Sequence, residues 1–147
     1  MSALVVFDSN YGNTERVAEA IAAGIGGATA VSVARLDPAS LAADLLVVGS
    51  PINGWRPTAA MQKFLAGLGA GQLVGTHAAA FDTRVRLFIH GDAAARISQS
   101  LEDAGATIVA KPRGFTVKGT EGPLLDGELE AATAWGRSIA AEVARTA

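Results

Sequence analysis

Leu4-Val5-Val6-Phe7-Asp8-Ser9-Asn10-Tyr11-Gly12-Asn13-Thr14-Glu15-Arg16 joins a short apolar run to a helical pattern through small hydroxyl and amide side chains. Leu4 to Phe7 is too short for a helix and is apolar throughout, as expected of a parallel strand buried on both faces. From Asn13 to Ile25, Val17, Ala18, Ile21 and Ile25 recur at helical spacing, and Gly26-Gly27 ends the pattern. The loop between them is a candidate phosphate cradle. A helix N-terminus offers free N–H groups and a partial positive charge to an anion. Ser9 and Thr14 add hydroxyl donors, and Gly12 lets the backbone curl inward. Ser9–Thr14 holds no Lys or Arg, so neutral donors would grip the anion, which suits one terminal monophosphate better than a triphosphate with magnesium.

The same alternation runs along the rest of the chain. Ala30–Ala34 and Leu45–Val48 read as further strands, the second stopped by Gly49-Ser50-Pro51. Between them, Asp37-Pro38 opens a short turn to Leu41. Met61, Phe64, Leu65 and Leu68 mark a helix beginning near Thr58. Ala78–Phe81 is a weak fourth strand, Asp92–Ala104 a helix closed by Gly105, and Thr107–Val109 a fifth strand. Asp126–Ala144 is a last helix facing inward through Leu129, Ala132, Trp135, Ile139 and Val143, and Gly114–Leu125 before it is irregular. Strands alternating with helices predict an α/β fold with a five-stranded parallel sheet covered on both faces, formed by residues 1–147 as a single domain. Ligands of such sheets lie beyond the carboxyl ends of the strands, where strand order reverses.

Composition narrows the classes. Of 147 residues, 50% are hydrophobic and 18% charged, which excludes intrinsic disorder. The absence of cysteine excludes disulfides, thiolate metal sites and a Cys nucleophile. A net charge of −2 argues against nucleic acid as partner, and no apolar run suits membrane insertion. Met1–Phe7 lacks the basic n-region of a signal peptide, so a cytoplasmic location is expected. Neither the Walker A Lys nor the Rossmann Gly-x-Gly-x-x-Gly follows the first strand. Lys111-Pro112 after the fifth strand matches the ending of response-regulator receivers, but strand three offers no phospho-accepting Asp. His77 and His90 lack carboxylate partners at metal spacing, and no Gly-x-Ser-x-Gly elbow occurs.

Ser9-x-Tyr11-Gly12-x-Thr14 resembles the FMN phosphate loop of flavodoxins, and the resemblance covers nearly the whole chain at the length of a short-chain member. It implies a flavodoxin-like three-layer sandwich with strand order 2-1-3-4-5 and FMN at its carboxyl edge. Ser9, Asn10, Tyr11, Gly12, Asn13 and Thr14 would form the phosphate loop. Ser50-Pro51-Ile52-Asn53-Gly54-Trp55 resembles the second flavodoxin loop. An isoalloxazine ring needs an aromatic face, which Trp55 can supply, and Asn53-Gly54 is a turn dipeptide tolerant of positive φ. By resemblance, a backbone carbonyl near Asn53-Gly54 accepts a hydrogen bond from the flavin nitrogen protonated on reduction. The third loop, from Phe81 to Asp92, departs from the family pattern. It carries Asp82, Thr83, Arg84 and Arg86, and it has Leu87, beside Phe88, where the family places a stacking Tyr. Positive charge from Arg84 and Arg86 would raise the midpoint of the second electron, unless both pair with Asp82 or Asp92.

The resemblance implies an electron carrier between a flavin or iron–sulfur reductase and a redox acceptor protein, with no side chain acting as acid or base. An FMN-dependent NAD(P)H or quinone reductase on the same core, and a domain of this fold that has lost FMN, remain as alternatives. The low net charge would steer basic partners weakly.

Overall fold

The computed structural model describes residues 1–53, 55–86 and 92–146. Gly54, Leu87, Phe88 and His90 therefore lie outside the described residues, and so do the expectations placed on them. The elements run β1 (Ala3–Phe7), α1 (Asn13–Ile25), β2 (Thr29–Ser32), β3 (Leu45–Pro51), α2 (Ala59–Ala66) and β4 (His77–Val85). They continue with α3 (Ala93–Asp103), β5 (Thr107–Ile108), β6 (Arg113–Val117) and α4 (Glu128–Thr146). Short 3-10 turns at Val33–Arg35 and Pro38–Ser40 follow β2, the second capped by Asp37 with Pro38 at its first position.

The sheet is parallel in the order β2-β1-β3-β4-β5, and β6 also pairs with β4. Period-2 alternation along the strands sorts side chains between two cores. Val5, Phe7, Leu45 and Val47 face one layer with Ile21 of α1 and Ile139 of α4. Val6, Leu46 and Val48 face the other, with Met61 and Phe64 of α2 and Ile97 and Leu101 of α3. Both faces of the central strands are dry, which is why their sequences read as uninterrupted apolar runs.

Three expectations about element limits are corrected. First, β3 does not stop at Gly49 but runs through Ser50 to Pro51, pairing Ser50 with Asp82 and Pro51 with Thr83. Gly49 serves packing there: a Cβ at this position would lie 2.2 Å from the Phe81 ring. Second, β4 continues four residues past Phe81, so Asp82, Thr83 and Arg84 belong to a strand and not to a loop. Third, the stretch expected to be irregular from Gly114 contains β6, whose Arg113–Val117 pairs in register with Phe81–Val85. The fifth sheet position is thus one edge in two pieces, Thr107–Ile108 and Arg113–Val117, flanking the residues around Lys111-Pro112. Proline cannot donate to a ladder, and here it falls in the gap between the pieces.

Phe81, Phe115 and Trp135 meet edge to face with ring centroids 5.9 to 6.3 Å apart, locking β4, β6 and α4 together beneath the carboxyl end of the sheet. Among the described residues, no helix is long and apolar enough to cross a membrane.

Candidate flavin site at the carboxyl edge

A groove of about 380 Å³ opens at the carboxyl end of β1, β3, β4 and β6, within the ~300–1,000 Å³ usual for small-molecule sites. Its floor begins at the switch point between β1 and β3. The turn after β1 brings Ser9, Asn10, Tyr11, Asn13 and Thr14 to the groove wall. Gly12 adopts φ +90°, a left-handed conformation that costs other L residues roughly 1–2 kcal/mol, and its N–H donates to Ser9 Oγ at 3.0 Å. Gly12 thereby shapes the loop without lining the groove.

The helix caps carry the chemistry. Thr58 and Asp92 cap α2 and α3 through their side chains, accepting from Met61 N–H and Ala95 N–H. No side chain caps α1. Its first residues, Asn13 and Thr14, both line the groove, and the hydroxyl of Thr14 is buried there. That hydroxyl shares a 2.9 Å hydrogen bond with Thr83 Oγ1, and Thr14 is 1% exposed. Uncapped amides, two hydroxyls and two carboxamides, with no cation in the loop, form the donor set that a phosphomonoester dianion takes. The fit to a flavin mononucleotide's terminal phosphate is good.

The opposite wall is the loop from Pro51 to Trp55, of which Pro51, Ile52, Asn53 and Trp55 line the groove. Asn53 and Arg56 close this loop as an isolated bridge, with Asn53 N–H donating to Arg56 C=O at 2.7 Å. Trp55 has φ +73°, the one described non-glycine residue in the left-handed region. A bulky residue held there stores roughly 1–3 kcal/mol, a feature concentrated at ligand sites. Its indole is 55% exposed, as is the Tyr11 ring across the groove. Two uncovered aromatic side chains lining one groove offer apolar faces to a flat ring system.

Ser50 does not line the groove. It is buried, accepts from Thr58 N–H and donates to Pro51 C=O, so it ties the loop to the start of α2. Thr58 in turn donates to Asp8 at 2.5 Å, coupling this loop to the one after β1.

Asp82 and Arg84 lie two apart on β4 and therefore on one face. The Arg84 guanidinium donates to both Asp82 oxygens at 2.7 and 2.6 Å and approaches Asp92 at 3.4 Å. The bond to Asp82 raises the Arg84 pKa further above its ordinary value, against the opposing effect of burial. Asp82 also accepts from Ala94 N–H and is fully buried behind the groove wall. The positive field expected from Arg84 is thus cancelled by its own neighbour: its body lines the groove, but its charge is paired. Arg86 is exposed.

Three lining residues were not anticipated: Val85, Val117 and Thr120. They arrive with the overrun of β4 and with β6 and the turn after it. That turn is pinned to the start of α1 by Asn13 Nδ2, which donates to Glu121 C=O at 3.0 Å. Gly122 permits the approach, since a Cβ there would sit 2.6 Å from the Asn13 amide. The β-branched Val117, two residues from the buried Phe115, was the available signal. Among the described residues, no group of three His, Asp or Glu side chains forms a metal-binding cluster.

Comparison with known proteins agrees with this geometry. The family model described as flavodoxin matches residues 5–135. No curated protein sequence matches the chain. A flavodoxin from the domain Archaea is 27% identical over 98% of this chain and 99% of its own, with a TM-score of 0.76. Oxidised flavodoxin 1 from Bacillus cereus is 20% identical, covering 100% and 99% of the two chains at TM-score 0.81. The flavodoxin, WrbA-like protein from Agrobacterium tumefaciens is 20% identical over 98% of each chain, at TM-score 0.76.

Proposed function

The chain belongs to the flavodoxin family, and from that premise we propose that it binds FMN non-covalently and carries electrons between a reductase and an acceptor protein. The observation that carries this reading is the uncapped start of α1 beside Thr14, where α2 and α3 are both capped. Bound flavin would supply the redox chemistry; the chain supplies grip, orientation and field. Ser9, Asn10, Asn13 and Thr14 would hold the phosphate, and Trp55 and Tyr11 would flank the ring.

Comparing FMN with riboflavin tests the reading. Fluorescence quenching is expected to show one FMN bound per chain, with riboflavin weaker by about a hundredfold, since each charge-assisted hydrogen bond contributes about 1.5–3 kcal/mol. Equal affinity for the two would overturn the phosphate assignment. Steady NAD(P)H oxidation with a quinone by the pure, loaded protein would favour the reductase reading instead.

Two substitutions refine it. Thr14→Val is expected to weaken FMN by about tenfold or more, at about 1.4 kcal/mol per factor of ten, while leaving riboflavin affinity nearly unchanged. Calorimetric titrations with both ligands check the contrast. Trp55→Gly should separate strain from binding. Gly accepts φ +73° freely, so thermal stability should hold within about 1 kcal/mol while FMN affinity drops about tenfold through the lost aromatic face. A large loss of melting temperature without FMN would show that Trp55 serves the core.

A further inference from the structure

The turn after β1, whose donors suit a phosphate dianion, opens on an anion. Asp8 stands one residue before Ser9, the first lining residue of that turn, and does not itself line the groove. Its charge repels a phosphate, so phosphate binding does not explain it. The carboxylate instead crosses the seam between β1 and β3, where Oδ2 accepts from Thr58 Oγ1 at 2.5 Å.

Thr58 is buried and a hydroxyl has one hydrogen to give. Its Oγ1 accepts from Met61 N–H at 3.2 Å, which leaves that hydrogen for Asp8. The Thr58 N–H donates to Ser50 Oγ at 3.0 Å, and Ser50 donates to Pro51 C=O at 2.8 Å. Both stems of the segment carrying Asn53 and Trp55 thus meet at Thr58, and Thr58 is held by Asp8. The Asp8 N–H donates to Gly49 C=O at 3.2 Å, which fixes the base of the carboxylate on β3.

We propose that Asp8 is a positioning residue for the ring side of the groove: through Thr58 it holds Asn53 and Trp55 in place, and it takes no part in gripping phosphate. That the wall so held receives a ring rests on the flavin reading. A preorganised wall binds more tightly because less ordering remains to be done when the ligand arrives. Trp55 is where such a restraint matters, since a bulky residue keeps φ +73° only when its surroundings enforce it.

Riboflavin, which lacks the phosphate, separates the roles. Asp8→Ala is expected to weaken riboflavin about fivefold, the ordering cost of about one side chain, and FMN by less, since a repelling charge goes with it. Asp8→Asn, which keeps an acceptor oxygen, should lose less in the same sense. In a Thr58→Val background Asp8→Ala should add nothing to the riboflavin loss, because its path is already cut. Thr58→Ser, which keeps both hydrogen bonds of the hydroxyl, should bind as the unaltered protein does. Unchanged riboflavin affinity in Asp8→Ala would overturn the proposal: FMN tightening alone marks a field effect, and FMN weakening alone marks a phosphate contact. A full further loss in the Thr58→Val background would overturn it too. Amide exchange in the flavin-free protein decides without any ligand. Asn53 N–H, bonded to Arg56 C=O at 2.7 Å, should exchange about fivefold faster in Asp8→Ala relative to Val47 N–H, buried in β3. An unmoved Asn53 would overturn the positioning role. A freed Asn53 in a protein that binds no FMN would support it and strike the flavin reading alone.

Discussion

Gly24→Ala and Gly136→Ala are each expected to lower stability by about 2–3 kcal/mol, measured by urea unfolding of the protein without flavin. A Cβ on Gly24 of α1 would lie 2.0 Å from the Thr133 carbonyl oxygen, and one on Gly136 of α4 would lie 2.3 Å from that of Ile21. Both clashes are with backbone, so no side-chain rotation relieves them and the helices must separate. Their separation would loosen the layer that Ile21, Ala132 and Ile139 seal against the sheet. Helix propensity pulls the other way, because Gly→Ala in a helix interior gains about 1 kcal/mol. The sign of the change therefore decides whether close backbone contact governs this crossing. One displacement accommodates both methyl groups, so the double variant should lose less than the two singles added together. A stabilised Gly136→Ala would show that α1 and α4 are farther apart in solution.

These glycines also mark where the sequence was legible and where it was not. Leu4–Phe7 and Leu45–Val48 announce buried strands because both of their faces meet helices, and Met61, Phe64 and Leu65 announce α2 by period. The loop after β1 was readable as a donor-rich turn opening α1, because its small hydroxyl and amide residues bunch directly before the helical period begins. The polar ends of β3 and β4 were not readable. Ser50, Asp82, Thr83 and Arg84 continue the ladders while facing the groove or its supports, so the apolar signal stops before the strand does. β6 was hidden by Lys111-Pro112 and by Gly114, which breaks its pattern with no side chain of its own. With β6 went Val117 and Thr120, and with the overrun of β4 went Val85. The pairing of Asp82 with Arg84 is a two-residue spacing, which signals contact only once both are placed on a strand.

That pairing sets the other large expectation. Asp82→Ala should cost about 3 kcal/mol, because it strands the Arg84 charge in a partly buried position and removes the acceptor of Ala94 N–H at the start of α3. A simple turn of Arg84 into water is hindered by packing. Its guanidinium lies against Gly114, where even a Cβ would come within 2.2 Å of Nε. Asp82→Asn separates the two losses: the amide oxygen can still accept from Ala94, so this variant should fold and bind FMN, but Arg84 keeps only its longer contact to the exposed Asp92 and its charge is less fully cancelled. Two unit charges about 8 Å apart, in a medium between protein-like ~20 and water's ~80, interact by about 0.5–2 kcal/mol, the scale such a charge would have at the groove. For one electron that is a rise of roughly 20–90 mV, at about 59 mV per factor of ten. The rise should fall mainly on the second electron, whose product is anionic, and Arg84→Gln should shift the same step downward, because it leaves the Asp82 carboxylate without its cation. Spectroelectrochemical titration of the three proteins reads both steps. Unchanged potentials in Asp82→Asn, with FMN still bound, would mean that Arg84 finds another partner and that the carboxylate's role is confined to holding β4 against α3.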